Sequence, residues 1–139
     1  MKTLKQKVQV VIEEKQLCSI MNNTKWGKLQ HEVLHTLPFT PPFQAKYVLE
    51  DTPEPEVFDS DVWYWGDWIE GLLPFYSVEW IRVRPRYLKH QGMLVEPEVI
   101  DITEDFRSLL DNLNVPYKEE SNSFYIYGYI SNTDSLITE

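Results

Sequence analysis

Residues 31–35, His31-Glu32-Val33-Leu34-His35, have the H-E-x-x-H spacing with which zinc proteases hold their metal. Histidines one helical turn apart bring both imidazoles to one ion, and the adjacent glutamate polarises the bound water. A zinc-dependent hydrolase built on this segment would use His31 and His35 as ligands, Glu32 as general base, and His90 or a carboxylate to complete the site. The element that carries the segment decides whether this chemistry is within reach. Asn22-Asn23-Thr24 supplies N-cap residue types, and Pro38 with Pro41-Pro42 stops the run, which predicts a helix over 24–36. At about 100° per residue, Trp26, Leu29, Val33, Leu34 and Leu37 form its apolar stripe. Both histidines then project from the opposite side, beside Lys28, whose charge repels a dication. His90 lies in the basic stretch Tyr87-Leu88-Lys89-His90, and no later helix offers a carboxylate at a metal-binding spacing. The first reading is therefore a solvated helix face without a cofactor, with zinc as the alternative.

Aromatic residues are concentrated in two places. Trp63-Tyr64-Trp65-Gly66-Asp67-Trp68 holds three of the five tryptophans. A strand over 61–65 would put Trp63 and Trp65 on one face, most of it core, with an aromatic binding surface as the other reading. In Ser123–Ile130, alternation puts Phe124, Ile126, Gly128 and Ile130 on an inward face and Tyr125, Tyr127 and Tyr129 on the other. Three tyrosines, each an apolar ring with a polar tip, suit a half-covered sheet face or a partner contact. Gly128 would let a neighbouring chain or ligand approach closely. Charge is also segregated. Glu50 to Asp61 is an acidic run, and Arg82, Arg84, Arg86 and Lys89 form a basic one. The two are expected to face each other or water; arginines alternating along a strand, such as Arg82 and Arg84, could also grip a small anion. No nucleophile–base constellation and no glycine-rich phosphate loop is legible.

The elements that position these residues follow from the same periodicities. An N-terminal helix is expected within 1–20, a strand over 44–49, an exposed loop over 50–56, a strand over 76–83, irregular chain over 86–100, a helix over 103–113, and a last strand over 123–130. Residues 131–139 read as a flexible tail. The order does not alternate as a doubly wound fold would. It predicts an α+β fold: a mostly antiparallel sheet of about four or five strands with two or three helices packed on one face, in a single domain over 1–139. That length suits one core. With 42% hydrophobic and 25% charged residues the chain is far from the signature of disorder.

A net charge of −9 repels nucleic acid and anionic membrane and favours solubility or a cationic partner. Cys18 is the only cysteine, which excludes an intrachain disulfide and fits the cytoplasm. Val10-Val11-Ile12 meets Glu13-Glu14 too early for a signal-peptide core, and nothing approaches a membrane span.

Met21-Asn22-Asn23-Thr24-Lys25-Trp26, Pro41-Pro42-Phe43-Gln44, Gly66-Asp67-Trp68, Glu79-Trp80-Ile81 and Tyr127-Gly128-Tyr129 together resemble a family of short bacterial proteins known only as a domain of unknown function. The likeness runs from about residue 4 to 130. It implies a bacterial origin and a compact α+β domain, and it brings no assigned active site. The histidines are not among the family's marks. The reading that results is a non-enzymatic cytoplasmic protein-binding domain, with Tyr125, Tyr127, Tyr129, Trp63, Trp65, Arg82 and Arg84 as binding residues and a basic protein as partner. One concrete form is an immunity-type protein that neutralises a basic bacterial toxin.

Overall fold

The computed structural model describes residues 1–131. Helix α1 (Leu4–Glu14) starts at a capping box: the Thr3 hydroxyl accepts from the Gln6 amide, and the Gln6 side chain accepts from the Thr3 amide. Gln16, at a positive φ of 55°, ends it. The helix expected within 1–20 therefore stops early, and Leu17–Ser19 become strand β1, paired antiparallel with β8 (Tyr129–Ser131).

Helix α2 (Asn23–Thr36) is capped by Asn22, whose side chain accepts from the Lys25 amide at 2.7 Å. The main sheet contains β2 (Phe43–Tyr47), β3 (Val78–Val83), β6 (Lys118–Glu120) and β7 (Ser123–Tyr127) in the order β2-β3-β7-β6, with every pairing antiparallel. Between β3 and helix α3 (Thr103–Asn112), β4 (Arg86–Lys89) and β5 (Glu98–Asp101) form a separate hairpin. The fold is α+β, as the order of elements predicts.

One core cluster unites the layers. Trp26, Leu29 and Val33 of α2 and Phe106 and Leu110 of α3 meet Ile81, Val83, Phe124 and Ile126 on one face of the main sheet. Each is wholly or almost wholly buried. The α2 stripe read from the sequence is thus the stripe that packs, apart from Leu34 and Leu37, which lie partly buried against it.

Two regions depart from expectation. Residues 61–65 are not a strand, and Trp63 and Trp65 are not core: they are 72% and 52% exposed. High β-propensity without a partner strand leaves the backbone irregular, and the segment is tied to β4 by a backbone bond from the Leu88 amide to the Val62 carbonyl, 2.7 Å, and by side-chain contacts. Of the tryptophans clustered there, only Trp68 turns inward, its indole donating to the Pro41 carbonyl at 2.7 Å. Conversely, residues 86–100, expected to be irregular, carry the β4–β5 hairpin.

The last expected strand is divided at Gly128 into β7 and β8. Of the tail, only Ser131 falls within the described residues, where it ends β8. No helix among the described residues is long and apolar enough to cross a membrane.

Candidate binding surface

His31 and His35 lie where the helical wheel places them, exposed on the side of α2 away from the core. Their rings stack face to face, with centroids 4.1 Å apart and planes 26° apart. His35 Nδ1 sits 2.8 Å from the His31 carbonyl oxygen, and a Glu32 carboxylate oxygen is 3.6 Å from His31 Nδ1. His90 is exposed in the loop after β4. Among the described residues, no three His, Cys, Asp or Glu side chains are grouped so as to hold a metal ion. Two parallel rings facing each other do not converge on a shared ion as chelating imidazoles must.

The main sheet has two chemically different faces, and the alternation along β7 creates them. Phe124 and Ile126 point into the core and are fully buried. On the other face, Tyr125 and Tyr127 stack at 6.3 Å, and Trp80 of β3 lies 5.9 Å from Tyr125. Trp80 pairs with Tyr127 and Arg82 with Tyr125 across the two strands, so these four side chains rise from the same side. Trp80, Tyr125 and Tyr127 remain half-buried. Trp80 belongs to a family motif but was not among the binding residues expected from the sequence. Its place beside the tyrosines depends on strand register, which a single chain of letters does not display.

Tyr129 departs from that row. Gly128 sends the chain out of the main sheet, its amide bonded to the Glu79 carbonyl and its carbonyl to the Ile20 amide, both at 2.8 Å. Beyond it, Tyr129 donates to the Tyr76 carbonyl at 2.8 Å, and burial raises its hydroxyl above the ordinary tyrosine range. It takes part in the β1–β8 pair, opposite Ser19.

The remaining part of the open face is covered by the chain itself. The Gln44 side chain donates to the Pro55 and Glu56 carbonyls, and the guanidinium groups of Arg82 and Arg84 both lie over the Phe58 ring. The acidic run and the basic run meet here. Arg82 contacts Asp59 at 3.1 Å and Ser123 at 3.0 Å; Arg86 grips Asp61 with two bonds of 2.8 Å. Arg84 is 4% exposed; it donates to the Phe58 carbonyl at 3.0 Å, lies 3.8 Å from Asp61, and leaves its Nε without a partner.

Burial pushes the Arg84 guanidinium below its usual range despite Asp61, whereas the hydrogen bonds that Arg86 donates to Asp61 push it up. Arg82 and Arg86 are engaged by the chain's own carboxylates and Arg84 by the Phe58 carbonyl. Away from the sheet, Trp65 packs against Phe39 and Tyr87, with centroids at 5.9 and 5.8 Å, while Trp63 projects outward.

The profile of a family described as "Family of unknown function (DUF6678)" matches residues 8–133. The chain belongs to the DUF6678 family. The matched span takes in α2, the whole main sheet, the arginine ladder and the half-exposed aromatic row, and it begins within α1. Neither the curated proteins nor the solved structures yield a match.

Proposed function

We propose that this DUF6678 chain is a non-catalytic, cytoplasmic protein-binding domain of bacterial origin, with the open face of its main sheet as the contact surface and a basic protein as its partner. The observation that carries the reading is the row Trp80, Tyr125 and Tyr127, left half-exposed on a sheet whose other face is closed by α2 and α3. Tryptophan and tyrosine supply large rigid contact area and dominate interface energetics. The net charge of −9 favours a cationic partner by steering and by complementarity. An immunity-type role, in which the chain neutralises a basic bacterial toxin, is the concrete form that joins small size, acidity and an aromatic face.

The test is affinity capture from lysate of the native host, comparing the wild-type chain with Tyr125→Ala/Tyr127→Ala. The expected result is one recurrent basic protein, bound about tenfold or more weakly by the double variant, with the circular dichroism spectrum of the variant unchanged. Repeated recovery of no specific protein, or equal binding by both chains, would overturn the proposal.

A further inference from the structure

A cleft of about 600 Å³ opens between the start of α1 and the segment that follows β2. Its size falls within the roughly 300–1,000 Å³ typical of sites that enclose a ligand. The apolar part of its lining comes from Leu4, Leu49, Pro53 and Leu73 and the Tyr47 ring. Leu4, Leu49 and Leu73 are 44%, 38% and 51% exposed, so this lining faces solvent in the free chain. Tyr47 is fixed in place: its hydroxyl donates to the Gly71 carbonyl at 2.7 Å, and burial, then the carboxylates of Asp67 and Glu54, hold it protonated.

The polar part of the lining is one-sided in charge. Glu50, Glu54 and Glu56 contribute to it, and no lysine, arginine or histidine does. None of these three carboxylates forms an ion pair among the described residues, whereas Asp59 and Asp61, a few positions on, are both engaged by arginines. No lysine or arginine occurs between Lys46 and Arg82 in the sequence, and of the lysines that adjoin lining residues, Lys46 pairs with Glu79 and Lys5 lies over the Tyr76 ring.

An exposed apolar floor with an unpaired acidic rim is complementary to one kind of side chain: a long aliphatic stem that ends in a cation. We infer that this cleft receives a lysine or arginine side chain from an extended segment of another protein, the stem lying on Leu4, Leu49 and Leu73 and the charge among Glu50, Glu54 and Glu56. The inference rests on the protein-binding reading and adds to it a second contact region, distinct from the Tyr125–Tyr127 face.

The test uses the full chain, labelled with ¹⁵N, titrated with the capped peptide acetyl-Ala-Leu-Lys-Leu-Ala-amide and with the same peptide carrying norleucine in place of lysine. The expected result is amide shifts confined to the cleft lining with the lysine peptide, and binding at least fivefold weaker with norleucine. Glu50→Gln/Glu54→Gln/Glu56→Gln should weaken the lysine peptide at least fivefold. The control Glu96→Gln/Glu98→Gln/Glu120→Gln, which removes equal charge from exposed sites outside the cleft, should change it less than twofold. Equal weakening in both triple variants would reduce the effect to net charge and overturn the inference, as would the absence of shifts at millimolar peptide. Shifts at Trp80, Tyr125 and Tyr127 instead would overturn the cleft assignment and leave the protein-binding reading standing, since that reading is tested by capture with the tyrosine variant.

Discussion

A methyl group on Gly128 would stand 2.4 Å from the Val78 carbonyl oxygen, against backbone that cannot swing aside. The glycine is what lets β7 leave the main sheet and continue as β8 beside β1. Gly128→Ala should therefore destabilise the chain by about 2 kcal/mol, the scale of an overpacked core, read as a lower urea midpoint. Asp61 and Asp59 offer a matched pair at the same scale. Asp61 is largely enclosed and faces two arginines, so Asp61→Ala leaves the buried Arg84 without its carboxylate, takes two bonds from Arg86, and should cost about 3 kcal/mol. The Asp59 side chain is 78% exposed, and Asp59→Ala should cost under about 1 kcal/mol by the same measurement. A close approach at Gly128 was legible in the sequence, and so was the meeting of acidic and basic runs. The identity of the neighbour was not, because Val78 reaches Gly128 through the pairing of strands distant in sequence, and Asp61 reaches Arg86 from an irregular segment laid beside β4.

Elements whose periodicity reports their own burial were legible. The stripe of α2, the Phe106, Leu109 and Leu110 stripe of α3 and the two faces of β7 each repeat at the period of the structure they form. The β4–β5 hairpin was hidden for the opposite reason. Arg86-Tyr87-Leu88-Lys89 and Glu98-Val99-Ile100-Asp101 are short strands without a fully buried residue, so they carry no apolar rhythm. Residues 61–65 erred the other way, being rich in strand-forming side chains but lacking a strand to pair with. Of the candidate site, the tyrosine row was legible from alternation, whereas Trp80 and the cleft required knowing which segments meet. The hairpin also makes an element-scale prediction. Its tip presents Met93 and Leu94 at 98% and 97% exposure, so Met93→Ser/Leu94→Ser should alter unfolding stability by no more than about 0.5 kcal/mol. Leu110→Ala in the closed core should cost about 3 kcal/mol in the same denaturation.

Over the whole molecule, carboxylates serve in two ways. Some lock the chain to itself, as Asp59 and Asp61 do on the arginine ladder; others, around the cleft, face outward without a counter-charge. Enclosure of Arg82 and Arg84 keeps dissolved ions away from most of the ladder. Electrolyte should consequently act as a selective solvent for one set and not the other, because the screening length falls from about 8 Å at 0.15 M to about 3 Å at 1 M. Molar sodium chloride should strip a lysine peptide from the cleft while the urea midpoint holds steady or rises slightly as self-repulsion is relieved. A midpoint that dropped would mean brine reaches the ladder. A chain of this design would stay folded in a saline medium yet release a lysine side chain from the cleft there, so the strength of the surrounding medium would set when the cleft is filled and when it is empty.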